Sequence, residues 1–372
     1  MAGWPGAGGY ARLRHSGQRK LKLRTAQSRT DCAAKASPAS EGCPDLRLEK
    51  PSDLLDPDAL LRRPGARLMV LAPHPDDESL AAGGLIQRAL SHGATVSAVF
   101  ITDGENNPWP QRALERRIWI GAGQRASWGE RRRGESAAAL RALGAADVNV
   151  HRLGWPDGAV TWKLLDDTAS MLGALRALIV REQPTVLVLP DLVDRHPDHS
   201  AIHVLVEMVF QTTPDVVKPA CLGYLLHGRS QPGTPLRAEF ALNGVEQSRK
   251  RAAIESHASQ TALSRARLLR HAAATETFVA GLDSHDRADT TLPWLPPRVL
   301  RPFLALLTVD ADGGERVHLG GGGANLFWRD GSPAARTSRP LRLPYYVKLY
   351  CPLPSPWVFD GWGWCRFGEP RP

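Results

Sequence analysis

Two short runs hold the residue types that do chemistry: Pro73-His-Pro-Asp-Asp-Glu78 and Asp194-Arg-His-Pro-Asp-His199. Both contain His-Pro-Asp followed by a residue able to bind a metal. His74 and Asp77 stand three apart, so both can turn towards one ion, and His199 completes a set of two imidazoles and one carboxylate. Three N/O ligands with an open fourth position describe a catalytic zinc site, whereas structural zinc sites are closed by four ligands rich in Cys. Iron(II) suits a similar set. Asp76 can lie beside the metal without binding it and take the proton of an attacking water. His196 is either a fourth ligand or an imidazolium that steadies an oxyanion or protonates a leaving amine. Asp198 would then fix the His196 tautomer. The bland alternative, that Asp76 and Asp198 only cap helices, is weakened by the repetition of the pattern. Glu78 reads as a first-turn residue favoured by the helix dipole.

Both runs need strands that end and helices that begin. Leu68, Val70 and Leu71 form an apolar strand closing at Pro73, and helical spacing follows over 79–91. The strand Thr185-Val-Leu-Val-Leu189 precedes the second run, and Ile202, Leu205, Val206 and Val209 mark a helix after it. Further strands are expected over 95–101, 147–153 and 221–226, with helices over 130–143, 164–180 and 245–257. Residues 105–130, with Trp109, Trp119 and Trp128, read as an ordered loop or lid. The alternation predicts an α/β fold, a Rossmann-like, mainly parallel sheet with helices on both faces. Ligands bind such sheets at the carboxyl ends of the strands. No G-x-G-x-x-G follows the first strand, which excludes the usual dinucleotide fingerprint.

The chain divides into three expected segments: a basic, disordered arm and linker over 1–62, the catalytic domain over 63–289, and an irregular or β-rich extension over 290–372. Seven of the nine excess positive charges lie in residues 1–30, which carry no acid, so the net charge of +9 describes the arm. The arm lacks an apolar core of the kind a secretory signal needs. Nucleic acid is not the expected partner. No stretch is apolar enough to span a membrane, and five scattered Cys without C-x-x-C fit a reducing, cytoplasmic setting. The Ala, Arg, Gly and Pro content suggests a bacterial source. The extension can cover the sheet edge, shape the pocket rim or support a homo-oligomer.

The combination of Pro-His-Pro-Asp-Asp-Glu with a downstream His-Pro-Asp-His resembles the LmbE-like, or PIG-L, family of zinc-dependent de-N-acetylases over roughly residues 65–280. The resemblance implies His74, Asp77 and His199 as zinc ligands, Asp76 as base and His196 at the oxyanion or leaving group. It also implies substrate contacts for Arg132 within Arg132-Arg-Gly-Glu135, for Asp157 after the third strand, and for His257 of the His257-Ala-Ser-Gln260 segment. Some members carry Tyr where this chain has Asp194. The expectation is therefore a metal-dependent hydrolase that removes an acetyl group from an N-acetylglucosamine-type amino sugar in a glycoconjugate. Its rivals are an amidase acting on a thiol conjugate or acylated antibiotic, and a non-catalytic sugar-binding member of the fold.

Overall fold

The computed structural model describes residues 56–228, 237–282, 286–287, 294, 296–318, 326–329, 332–335, 339–353 and 358–368. The expected arm falls outside these, apart from a short helix α1 (Pro57–Leu61) whose Leu60 and Leu61 are buried in the core. The strand leading to His74 is β1 (Arg67–Ala72), and it is buried on both faces. Leu68, Val70 and Ala72 point into one apolar cluster, and Met69 and Leu71 into another. Alternation into two cores is what a strand covered on both faces requires.

The chain continues as α2 (Asp77–Ser91), β2 (Thr95–Thr102), α3 (Pro108–Glu115), α4 (Ala122–Ala142), β3 (Asn149–Trp155), α5 (Val160–Asp166), α6 (Thr168–Glu182), β4 (Val186–Pro190), α7 (Pro197–Thr212) and β5 (Ala220–Tyr224). Next come β6 (Arg237–Ala241), α8 (Gly244–Ser256), α9 (Ala258–Leu269) and β7 (Thr275–Ala280). The sheet runs β3-β2-β1-β4-β5-β7-β6, with the first five strands parallel and β7 antiparallel to both its neighbours. Helices α2, α4 and α8 pack on one face and α5, α6 and α7 on the other. The mainly parallel, doubly covered sheet agrees with the expectation; the antiparallel pair at its edge was not foreseen.

Two local expectations need correction. Residues 105–130 are largely helical: α3 starts with Pro108 at its first turn, and α4 begins at Ala122, eight residues earlier than expected. The helix expected over 164–180 is two helices, because Asp167 takes non-helical dihedrals and its carboxylate accepts from Lys163 Nζ (2.7 Å).

Beyond β7 lies a second sheet, ordered β10-β9-β13-β14-β8, from β8 (Asp286–Arg287), β9 (Ala305–Asp310), β10 (Gly313–His318), β13 (Tyr345–Tyr350) and β14 (Cys365–Phe367). A separate hairpin joins β11 (Leu326–Arg329) to β12 (Ser332–Ala335). Leu307, Val309, Tyr346 and Trp364 of this second sheet share a core with Val160, Leu164 and Leu165 of α5. A side chain at Gly314 would meet the Leu165 backbone at 2.5 Å, so the sheet backbone lies directly on that helix.

Candidate metal-dependent active site

The chain runs outward from β1 to β2 and β3, then returns to pair β4 with the other edge of β1, Leu68 opposite Val186. That reversal puts the two turns that follow β1 and β4 side by side at the carboxyl edge, where open α/β sheets bind ligands. His74 and Asp77 come from the first turn, and His199 from the first turn of α7. Pro197 opens that helix at a position where its missing N–H costs nothing.

Three donor atoms meet there. His74 Nδ1 lies 3.3 Å from Asp77 Oδ2, His199 Nε2 lies 3.2 Å from the same oxygen, and the two imidazole nitrogens are 3.3 Å apart. Ligands at about 2.0–2.1 Å from a tetrahedral zinc are separated by roughly 3.3–3.4 Å, so the triangle has the size of one face of that tetrahedron. His74, His196 and His199 also group closely enough to share an ion, which keeps His196 as an alternative ligand.

The surrounding charge fits a cation as well. Four buried carboxylates, Asp77, Asp157, Asp194 and Asp198, surround His74 and His199. Burial opposes charging these imidazoles, yet Asp157, Asp198 and Asp77 drive His74 well above its usual range. Asp77 and Asp194 likewise raise His199 to about 9. Burial pushes Asp77 up, but the His199 and His74 imidazoliums hold it well below the usual carboxylate range. A divalent cation would replace those two protons as the compensating charge.

Asp76 sits at the N-cap of α2 but caps nothing with its side chain. Its Oδ1 lies 3.2 Å from Arg132 Nη2. Burial pushes its carboxyl up, with Arg132 opposing and Asp77 reinforcing, the direction a general base needs. Arg132 is itself buried: Nη1 donates to the Gly104 carbonyl (3.0 Å) and Nη2 to the Pro75 carbonyl (2.8 Å). The guanidinium thus holds the turn that carries Asp76, a task the sequence reading did not give it. Gly104 has φ +63°, and a Cβ there would lie 1.7 Å from Arg132 Nη1, so glycine is required twice over.

Three other expected residues act differently from their sequence reading. Asp198 does not reach the His196 ring with its carboxylate. Its oxygens accept from the Gly158 and Val160 amides (2.7 and 3.1 Å), and Oδ2 lies 3.4 Å from His74 Nε2. The Asp198 amide instead donates to His196 Nδ1 (3.3 Å). That bond makes Nδ1 an acceptor and leaves the proton on Nε2. Burial and the neighbouring His74, His199 and His227 push His196 well below its usual range. Asp157 Oδ1 lies 3.2 Å from His74 Nε2, while Oδ2 accepts from the Asn106 amide (2.7 Å), which makes it a support for a ligand. His257 is buried against Glu78 Oε1 (3.2 Å) and Ser79 Oγ (3.3 Å). There it braces the first turn of α2.

Two residues carry more than the sequence reading gave them. Asp194 Oδ2 stands 3.4 Å from His199 Nδ1, and Oδ1 stands 3.3 Å from His227 Nδ1. The same carboxylate accepts the amides of His196, Leu226 and His227 (2.9, 3.0 and 3.0 Å). A carboxylate behind a metal-ligating imidazole fixes its tautomer and orientation. His227, which stands alone in the sequence, follows β5 and packs edge-on to His199 with centroids 4.7 Å apart. Only the strand order, which sets β5 beside β4, links it to the site.

Residues 69–210, from β1 through most of α7, match the family model described as PIG-L, GlcNAc-PI de-N-acetylase. A 1D-myo-inositol 2-acetamido-2-deoxy-alpha-D-glucopyranoside deacetylase from Mycobacteroides abscessus is 35% identical over 161 residues, which cover 37% of this chain and 53% of the relative. A second enzyme of that name, from Saccharopolyspora erythraea, is 34% identical over 148 residues, 36% of this chain and 52% of the relative. The chain thus spans about half the length of the curated relatives it matches. Among solved structures, a conserved protein from Thermus thermophilus aligns over 62% of this chain and 99% of its own at 24% identity and TM-score 0.44. An N,N'-diacetylchitobiose deacetylase from Pyrococcus horikoshii aligns over 62% and 91% at 17% identity and TM-score 0.46.

Proposed function

We propose that this chain, whose residues 69–210 match the PIG-L (LmbE-like) family model, is a metal-dependent amidohydrolase that removes the acetyl group from an N-acetylglucosamine-type amino sugar in a small glycoconjugate. The observation that carries the reading is the His74–Asp77–His199 donor triangle with the Asp76 carboxylate beside it. Those three residues would hold zinc, with iron(II) the alternative. Such a cation supplies Lewis acidity, lowering the pKa of water and polarising the amide carbonyl.

The chain's own groups account for the proton and charge movements. Asp76, one oxygen held by Arg132, takes the proton of the attacking water as the new C–O bond forms. The His196 Nε2–H donates to the carbonyl oxygen as it gains negative charge. Protonated Asp76 then returns its proton to the nitrogen as the C–N bond breaks, leaving a carboxylic acid and a primary amine. Asp157 and Asp198 keep His74 in place, and Asp194 does so for His199. The relatives' names point to an acetamido sugar joined to inositol as the first substrate to try. The test is amine release from a panel of N-acetylglucosamine glycosides by the zinc-loaded chain. Release that disappears in Asp76→Ala supports the reading, and no release from any member contradicts it.

A further inference from the structure

Between β13 and β14 of the second sheet, residues 358–360 lie against the site. The Phe359 ring lies 5.3 Å from the His227 ring at 34° and 6.3 Å from the His196 ring at 79°. Its backbone is clamped to the turn before His196. The Asp360 amide donates to the Arg195 carbonyl (2.8 Å), and Arg195 Nε and Nη2 donate back to the Asp360 carbonyl (3.3 and 3.2 Å). The Asp360 carboxylate pairs with Lys348, which is only 1% exposed. Burying an ammonium is costly unless it is paired, so Lys348 and Asp360 hold each other and fix the residue between Val358 and Asp360. Phe359 is half-buried, so part of the ring is open.

This placement asks what the ring meets. Phe359 stands behind His196 and His227, which themselves flank His74 and His199 (4.6 and 4.7 Å between ring centroids). A two-carbon acyl group whose carbonyl sits at the donor triangle does not extend that far. On the deacetylase reading the larger portion of the substrate, the pyranose ring on the nitrogen side, is long enough to do so. An aromatic face carries negative charge density, and the axial C–H groups of a pyranose present a weakly positive, apolar face. We infer that Phe359, delivered by the second sheet and held by the Lys348–Asp360 pair and Arg195, is a specificity-determining residue that stacks on the pyranose ring of the substrate. The inference rests on the deacetylase reading for the identity of the sugar, and it assigns a substrate-binding task to residues outside the matched 69–210.

The experiment measures binding separately from turnover. Methyl N-acetylglucosaminide is titrated calorimetrically into the full chain and into Phe359→Ala and Phe359→Leu, with N-acetylethanolamine as a ligand that has the amide but no ring. Metal content and amine release are measured on the same preparations. Both variants are expected to bind the sugar about five- to tenfold more weakly, with unchanged metal content and unchanged affinity for the ring-free amide. Unchanged sugar affinity in Phe359→Ala overturns the inference. So does full affinity in Phe359→Leu, which would make the ring mere apolar filling, or loss of metal in both variants, which would make it a prop for the imidazoles. Sugar binding by the parent chain that depends on Phe359, without amine release, leaves the inference standing and removes the hydrolase reading. Amine release insensitive to Phe359 does the reverse.

Discussion

His74 Nδ1 and His199 Nε2 lie 3.3 Å apart although 125 positions separate them in the chain. That proximity comes from the pairing of β1 with β4, and Asp77 closes the triangle from the same turn as His74.

Asp194 reaches the metal site through His199, His227 and the backbone of its turn. Asp194→Asn keeps the shape and part of the hydrogen bonding but removes the charge behind His199. Zinc affinity, measured by competition with a chromophoric chelator, is expected to fall roughly 10- to 100-fold, with thermal stability of the zinc-loaded protein much less changed. Wild-type affinity in this variant would show that Asp194 only shapes the turn.

Asp76→Asn should separate binding from chemistry. The amide cannot take a proton from water, so kcat falls roughly 10²- to 10⁴-fold, while metal content stays at the wild-type level because Asp76 is not in the donor triangle. Loss of metal in this variant would place Asp76 among the ligands.

Gly104→Ala strains the left-handed turn and drives a methyl group into Arg132. Stability in denaturant is expected to fall by about 1–3 kcal/mol. Activity should fall beyond what the lost stability explains, since Arg132 no longer fixes Asp76. A neutral outcome would mean that Arg132 has another comfortable position.

His271 gives a pH dependence separate from the metal ligands. Burial, assisted by the nearby Lys250 cation, lowers it from 6.5 to about 4 in the folded chain. The unfolded chain therefore takes up a proton below 6.5 that the folded chain refuses until about 4, so stability drops as pH falls through that window and levels off below it. The full loss is on the order of 3 kcal/mol. Urea unfolding of wild type and His271→Gln at pH 7 and pH 4.5 checks this: the gap between the two pH values should be smaller in the variant. Equal gaps would contradict it.

The two motif turns were legible because chemistry there is local: a strand ending in Pro73, then His74, Asp76 and Asp77 within one turn. The strands that carry them, and the mainly parallel sheet, were readable from apolar runs alternating with helical spacing. Roles set by distant contacts were not. Asp198 was assigned to His196, its neighbour in sequence, but its carboxylate meets His74, which no local spacing reveals. Arg132 carried only an expected substrate contact; the fold also buries it beneath the Asp76 turn, where it holds the Pro75 carbonyl. His227 comes to the site, and Phe359 comes against His227, only through the β4–β5 pairing and the docking of the second sheet. Expectations confined to residues 1–55 lie outside the described residues. Among the described residues no helix is long and apolar enough to cross a membrane.

The central claim is met most directly by anomalous diffraction at the zinc edge from crystals of the zinc-loaded chain. The account predicts about one ion per chain, bonded to His74 Nδ1, Asp77 Oδ2 and His199 Nε2 at about 2.0–2.2 Å, and lost in His199→Ala. An ion held by other residues, or occupancy that survives His199→Ala unchanged, would contradict it.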